Sequence, residues 1–123
     1  MKADIKDRRD IELLINTFYE KVKVDSFIGF FFTDVVKVNW DKHLPVMYDF
    51  WESVVFHTGI YDGNPMEKHI DLNKKSPMKM EHFQRWMQLF NETVDELFAG
   101  AKADVIKQRA ISIATVMQIK IFG

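Results

Sequence analysis

An uninterrupted helical repeat of apolar residues lies near the start of the chain. It constrains the fold more than any other feature of this sequence. Apolar side chains recur there at the spacing i, i+3, i+4, i+7, i+8 and i+11, and they are Ile11, Leu14, Ile15, Phe18, Tyr19 and Val22. An α-helix has 3.6 residues per turn, so this spacing gathers all six on one side. The pattern predicts an amphipathic helix that buries this side, with Asp10 in the N-cap position.

A second helix is predicted within the stretch NWDKHLPVMYDFWESVVF, residues 39–56. Its apolar positions at helical spacing are Trp40, Leu44, Met47, Trp51 and Val54 or Val55. Pro45 lacks an amide hydrogen and disfavours the helical conformation in the residue before it. We therefore expect the regular helix to begin near Pro45, which places His43 on an irregular turn.

Two longer helices are expected in the second half of the chain. Ser76 and Pro77 open the first, which Gly100 can end, and its inward positions are Phe83, Trp86, Met87, Phe90, Val94 and Leu97. The last helix is expected from about Lys102 to Ile121, and its inward positions are Ile106, Ala110, Ile113, Ala114, Met117 and Ile121. Because Val105, Val116 and Ile119 lie elsewhere, this helix is either largely buried or in contact with a partner.

A short helical turn is predicted between the second and third of these helices. Asn64 is placed as its N-cap, with Pro65 and Glu67 in the first and third helical positions. This turn carries His69 between two loops. No strand alternation or domain boundary is visible, so residues 1–123 are expected to form a single all-α domain.

The composition excludes several classes of function. The 17 basic and 18 acidic residues give a net charge of -1, so we expect no nucleic-acid partner. The chain has no cysteine, which excludes disulfides and thiolate chemistry. The start, MKADIKDRRD, lacks the apolar core of a signal peptide, and no uncharged apolar run approaches the roughly 18 residues of a membrane span. We therefore expect a cytoplasmic protein with no membrane partner.

The side chains that could carry chemistry are few, and each has a structural alternative. His69 is the best candidate for a metal ligand, since its short turn buries little else, and the alternative is a surface histidine. His43 edges an inner helix face, but it could equally be solvent-facing. Tyr19 and Trp86 bring polar atoms to inner faces, where the common alternative is a core aromatic residue. No histidine has the Glu-x-x-His or His-x-x-x-His spacing of helical metal sites.

Four motifs occur in a fixed order along the chain: FYEKVKVD (18–25), W-x-x-H-L-x-x-M-x-D-F-W (40–51), GNPMEKHIDL (63–72) and F-x-x-W-x-x-L-F (83–90). In this order and at these distances they resemble the group III truncated haemoglobins, a family of bacterial truncated globins. The resemblance extends from about residue 10 to about residue 120. It implies a truncated globin fold, in which a two-over-two helical sandwich surrounds one haem b.

The resemblance also implies roles for individual residues. It matches His69 to the proximal ligand of the haem iron. It matches three polar side chains to the distal positions that face a bound ligand, namely Tyr19, His43 and Trp86. Other contacts with the cofactor are matched to Phe32, Met47, Phe50 and Trp51, and Trp86 is counted among them as well. Lys68 is included only because it adjoins His69.

These roles lead to expectations about function. Hydroxyl, indole and imidazole donors stabilise partial negative charge on dioxygen more than they stabilise nearly neutral carbon monoxide. We therefore expect slow release of dioxygen, which favours ligand chemistry over transport, including nitric oxide dioxygenase-like or peroxidase-like turnover with a separate electron donor. The alternatives are a redox or gas sensor globin, and a helical interaction module without haem. A further expectation from Pro45 is that His43 is mobile and controls ligand access.

Overall fold

The computed structural model describes residues 2–29, 40–56 and 79–122, apart from the side chains of Met117 and residues 119–122. Four helices lie wholly within these ranges, and they are α1 (Arg8–Val24), α2 (Trp40–Phe56), α3 (Met80–Leu97) and α4 (Ala101–Phe122). No strand occurs in the same ranges. The prediction of an all-α chain is therefore confirmed for the part of the molecule that the structure describes.

The four helices pack as two pairs. α1 contacts α2 and α3 contacts α4, while α1 also packs on α3 and α2 packs on α4. This is the two-over-two arrangement expected of a truncated globin. The shared core draws on all four helices, and its fully buried members include Leu14, Phe18, Phe90 and Ile106.

The first helix forms as the apolar repeat predicts, although its N-cap is different. All six repeat positions are buried. The N-cap is Asp7 rather than the predicted Asp10, because the Asp7 carboxylate accepts a hydrogen bond from the Arg9 amide at 3.0 Å. Asp10 lies in the first turn, where its carboxylate accepts from the Lys6 amide at 2.8 Å and opposes the positive end of the helix dipole.

The second helix corrects the prediction made from Pro45. α2 begins at Trp40 and includes Pro45 as its sixth residue, so residues 40–44 are helical rather than irregular. The amide that proline lacks would have bonded to the carbonyl of Asp41, and both residues are exposed, so water can satisfy that carbonyl. Trp40 and Leu44 pack against the core and stabilise the first turn. His43 therefore lies on a regular helical turn.

The third helix begins, within the described residues, at Met80, and the predicted start at Ser76 and Pro77 lies outside them. Its first turn is closed by two bonds between the same two residues. The Lys79 amide donates to Nδ1 of His82 at 2.8 Å, and the His82 amide donates to the Lys79 carbonyl at 3.0 Å. The buried side is displaced from the predicted one, since it includes His82, Leu89 and Thr93. The predicted inward residues Trp86, Met87 and Leu97 are only half-buried. Both α1 and α4 pack on this helix.

The fourth helix is capped by a residue from the far end of the chain. The Asp4 carboxylate accepts from the amides of Lys102 at 3.0 Å and Ala103 at 2.9 Å. Gly100 precedes the helix with a φ of 144°, and a Cβ at this position would lie 2.5 Å from Cγ of Asp4. The predicted helix end at Gly100 is three residues late, since α3 ends at Leu97 and Gly100 belongs to the turn that fits against Asp4.

Candidate functional site

The contact that singles out a candidate site joins α1 to α2. Tyr19, on the buried side of α1, is only 7 % exposed, and its hydroxyl lies 3.3 Å from Nε2 of His43 on α2. A tyrosine hydroxyl carries its proton at neutral pH, and burial raises the pKa of the Tyr19 phenol further above its usual value. A protonated phenol can donate one hydrogen bond and accept another. The core therefore contains a polar pair with a hydroxyl donor.

Trp40 completes an aromatic group around this pair. Its ring centroid lies 5.2 Å from that of Tyr19 and 5.8 Å from that of His43. The rings of Tyr19 and His43 meet edge to face with their centroids 5.3 Å apart. Edge-to-face contacts at these distances are favourable because the positive edge of one ring meets the negative face of the other.

A second aromatic group lies next to the polar pair, and Phe18 on α1 links the two. The edge of the Phe18 ring contacts Trp86 at a centroid distance of 5.6 Å and packs on Tyr19 at 5.1 Å. Phe90 stacks between two indoles, with centroids 5.5 Å from Trp86 and 5.0 Å from Trp51. The result is a packed aromatic cluster contributed by three helices.

The structure brings together the predicted site residues that it describes. Met47 and Trp51 are buried in the core, and Phe50 is half-buried with its ring against Trp51. Trp86 is half-buried, and within residues 2–29, 40–56 and 79–122 its indole N–H has no hydrogen-bond acceptor. The predictions for Phe32, Lys68 and His69 fall outside the described residues.

Sequence reasoning did not assign Trp40 or Lys23 to the site. Trp40 lies three residues before His43, and Lys23 lies four residues after Tyr19, so each shares a helix face with a predicted residue. Those spacings are visible in the sequence, but the alignment of α1 with α2 that brings the two faces together is not. The described residues contain no group of three or more side chains suited to hold a metal ion.

Comparisons with known proteins identify the family. The group 3 truncated hemoglobin ctb of Campylobacter jejuni is 32% identical to the chain over an alignment of 121 residues that covers 96% of this chain and 93% of that protein. The chain belongs to the group III truncated haemoglobins. The crystal structure of the group III truncated hemoglobin from Campylobacter jejuni superposes with a TM-score of 0.86 at 30% identity, covering 100% of this chain and 98% of that one. No protein-family model matches the sequence.

The identity to the Campylobacter jejuni protein confirms the family that the four sequence motifs indicated, and the structural superposition confirms the fold. This truncated haemoglobin has four described helices in the two-over-two arrangement, and its polar pair of Tyr19 and His43 lies where α1 crosses α2. No helix among the described residues is long and apolar enough to cross a membrane.

Proposed function

We propose that this truncated haemoglobin binds haem b through His69 and holds dioxygen, nitric oxide or another small diatomic ligand close to Tyr19, His43 and Trp86. The observation that carries the proposal is the buried hydroxyl of Tyr19 in contact with the imidazole of His43. A purely structural core gains little from a buried hydroxyl such as that of Tyr19, because the hydroxyl must be desolvated, while His43 beside it is only half-buried. A bound ligand that accepts hydrogen bonds would explain why polar side chains are placed here.

The described residues fit a haem. The cofactor is flat and largely apolar, and the aromatic cluster of Trp51, Phe90 and Trp86 beside the polar pair has a matching apolar character. When bound, haem would supply a ferrous iron that binds diatomic gases and donates more electron density to dioxygen than to carbon monoxide. We assign Phe32, Met47, Phe50, Trp51 and Lys68 to contacts with the cofactor, together with the ligand His69.

The polar side chains of this chain would then act on the ligand in different ways. The Tyr19 phenol is protonated at neutral pH, as tyrosine ordinarily is, so it can donate a hydrogen bond. If Nε2 of His43 donates to the Tyr19 oxygen, the phenol becomes more polarised and donates more strongly. The indole N–H of Trp86 offers a second donor from α3. Donors inside a core of low dielectric constant favour the more polar ligand.

The proposed role of the protein is retention of dioxygen rather than its transport. Donors that hold a polar ligand slow its release, which suits chemistry on the ligand, or sensing, better than delivery. We propose that any turnover on nitric oxide or peroxide draws its electrons from a separate donor.

Replacing Tyr19 with Phe tests the proposal. The substitution removes one hydrogen-bond donor from the core and keeps the ring, so the dissociation rate of dioxygen should rise at least roughly fivefold, while that of carbon monoxide changes less. Stopped-flow ligand exchange measures both rates.

Tyr48→Phe is the matched control, since it makes the same change on α2 where the Tyr48 hydroxyl bonds to the exposed Asn16. It should leave both rates unchanged. Equal dioxygen release from the native protein and Tyr19→Phe would contradict the assignment of Tyr19 as a donor to the ligand.

A further inference from the structure

The indole of Trp40 contacts both a cation and the polar pair. Nζ of Lys23 lies 4.5 Å from the centre of the indole, within range of a cation–π contact. The indole also packs against the rings of both Tyr19 and His43. Two residues of α1 and two of α2 thus form a connected group of four, which we call the α1–α2 tetrad: Tyr19, Lys23, Trp40 and His43.

The Lys23 side chain is well placed to restrain the indole. It is 28% exposed, so much of its length lies against the protein. The same ammonium group pairs with Oε1 of Glu20 at 3.2 Å, but Glu20 is 74% exposed and an ion pair of this kind is weak. The face of Trp40 is therefore a substantial partner for the charge of Lys23.

Trp40 in turn limits the positions open to His43. The two residues are three apart on α2, so their side chains are neighbours on one face of the helix. With the indole in place, the imidazole meets Tyr19 edge to face, with Nε2 3.3 Å from the hydroxyl. Movement of the indole away from the tetrad would open space into which the imidazole could turn.

We propose that Trp40, held by the cation of Lys23, is the positioning residue that keeps the His43 imidazole against the Tyr19 hydroxyl. The ammonium group of Lys23 contacts Glu20 and the ring of Trp40. It acts by setting the fraction of molecules in which the contact between His43 and Tyr19 is made. Its effect on ligands rests on the function proposed above, whereas its effect on the imidazole does not.

The size of the effect follows from the strength of the restraint. A partly exposed cation–π contact shifts a two-state balance by roughly two- to fivefold. Lys23→Met removes the charge and retains most of the apolar side chain, so the fraction of molecules with His43 turned away from Tyr19 should rise by about that factor. Trp40→Leu should have a larger effect because it also removes the ring.

Nuclear magnetic resonance of the histidine ring nitrogens tests the positioning. The purified protein is labelled with ¹⁵N, kept in its ferrous carbon monoxide form when it carries haem, and the His43 signals are assigned with His43→Gln. Lys23→Met and Trp40→Leu should move the His43 signals, and Lys23→Arg should restore them because a guanidinium also packs on an indole face.

Lys21→Met is the matched control. It removes another lysine of α1, whose ammonium group pairs with Glu96 on α3 rather than with the tetrad. It should leave the His43 signals in place. Unmoved His43 signals in Lys23→Met, or equal movement in Lys21→Met, would overturn the proposal.

The infrared stretching band of bound carbon monoxide supplies the second readout. Its frequency reports the polarity that surrounds the ligand, so Lys23→Met should raise the share of a higher-frequency component, and Lys23→Arg should lower it again. A protein without haem would refute the proposed function, and the ring-nitrogen signals would still decide the role of Lys23 and Trp40. If the protein binds haem but Lys23→Met changes neither the infrared band nor the His43 signals, only the proposed positioning of His43 by Trp40 and Lys23 is refuted.

Discussion

Asp25 shows how a single residue can connect the end of one helix to another helix near the site. One oxygen of its carboxylate accepts from the amides of Phe27 and Ile28, each at 3.0 Å. The other accepts from Nε and Nη2 of Arg85 on α3, at 2.8 and 2.6 Å. Burial of the carboxylate opposes ionisation, but these hydrogen bonds outweigh it and hold the pKa of Asp25 below its usual value. Since Arg85 precedes Trp86, this ion pair helps to fix α3 against α1.

Asp25→Asn should destabilise the fold in a pH-dependent way. At neutral pH we expect a loss of roughly 1–3 kcal/mol in the free energy of unfolding, because Arg85 loses a charged partner. The folded pKa lies below the ordinary value of 3.8, so the carboxylate contributes its full stability above that value. The contribution is lost as the pH falls through the folded pKa.

Urea denaturation at pH 7 and at several values below pH 4 measures this difference. The gap in stability between the native protein and Asp25→Asn should be widest at neutral pH and should narrow in acid. Asp41→Asn, an exposed residue in the first turn of α2, is the control and should change stability little. A gap that stays constant with pH would show that the charge of Asp25 is not what stabilises this contact.

Side-chain patterns predict individual residues unevenly. The gap-free repeat gave every buried position of α1, since helical spacing alone decides which side faces the core. The same spacing could not show that Trp40 and Lys23 meet, because that contact depends on how two helices are aligned. Tyr19 and His43 were assigned to one site through the family resemblance, and their 3.3 Å contact agrees with that assignment.

At the scale of the helices, termini were harder to predict than interiors. Asp7 and Asp10 are both suitable caps, and the choice depends on where the backbone of the preceding residues runs. Pro45 was expected to delay the start of α2, but packing of Trp40 and Leu44 on the core extends the helix past it. A local preference worth about 3 kcal/mol is thus offset by tertiary contacts. A regular helical turn at His43 also removes the original reason to expect a mobile residue there.

The cap of α4 illustrates why some termini cannot be read from a local sequence. Its capping residue, Asp4, precedes the first capped amide, that of Lys102, by 98 positions. The Ala99 amide also donates to the Ala3 carbonyl at 3.1 Å, and the side chain of Ile5 is 2% exposed. The segment before α1 therefore packs against the turn between α3 and α4.

Asp4→Ala should lower the free energy of unfolding by roughly 1–2 kcal/mol, because two amides at the start of α4 lose their acceptor. Hydrogen exchange should quicken at Lys102 and Ala103, as followed by mass spectrometry or magnetic resonance. Asp41→Ala is the control, since Asp41 lies in the first turn of α2 and makes no side-chain hydrogen bond within the described residues. Unchanged protection at Lys102 in Asp4→Ala would contradict the capping role.

For the whole molecule, the sequence was enough to predict the class of fold and the family. Four segments with helical apolar spacing define four helices in order, and large apolar side chains lead them to pack in pairs around one core. The two-over-two arrangement itself followed from the resemblance, and the superposition on the group III truncated hemoglobin of Campylobacter jejuni confirms it. The fold does not test the assignment of His69 as the ligand of the haem iron, because His69 lies outside the described residues. This role of His69 is therefore a proposal.

The absorption spectrum of the purified protein tests the central claim most directly. We expect the intense near-ultraviolet and visible bands of a haem protein, their loss or displacement in His69→Gly, and their recovery when free imidazole is added to that variant. His43→Ala should keep the bands, because His43 is assigned to the ligand side of the haem. A native protein without these bands, or a His69→Gly variant with an unchanged spectrum, would contradict haem binding through His69.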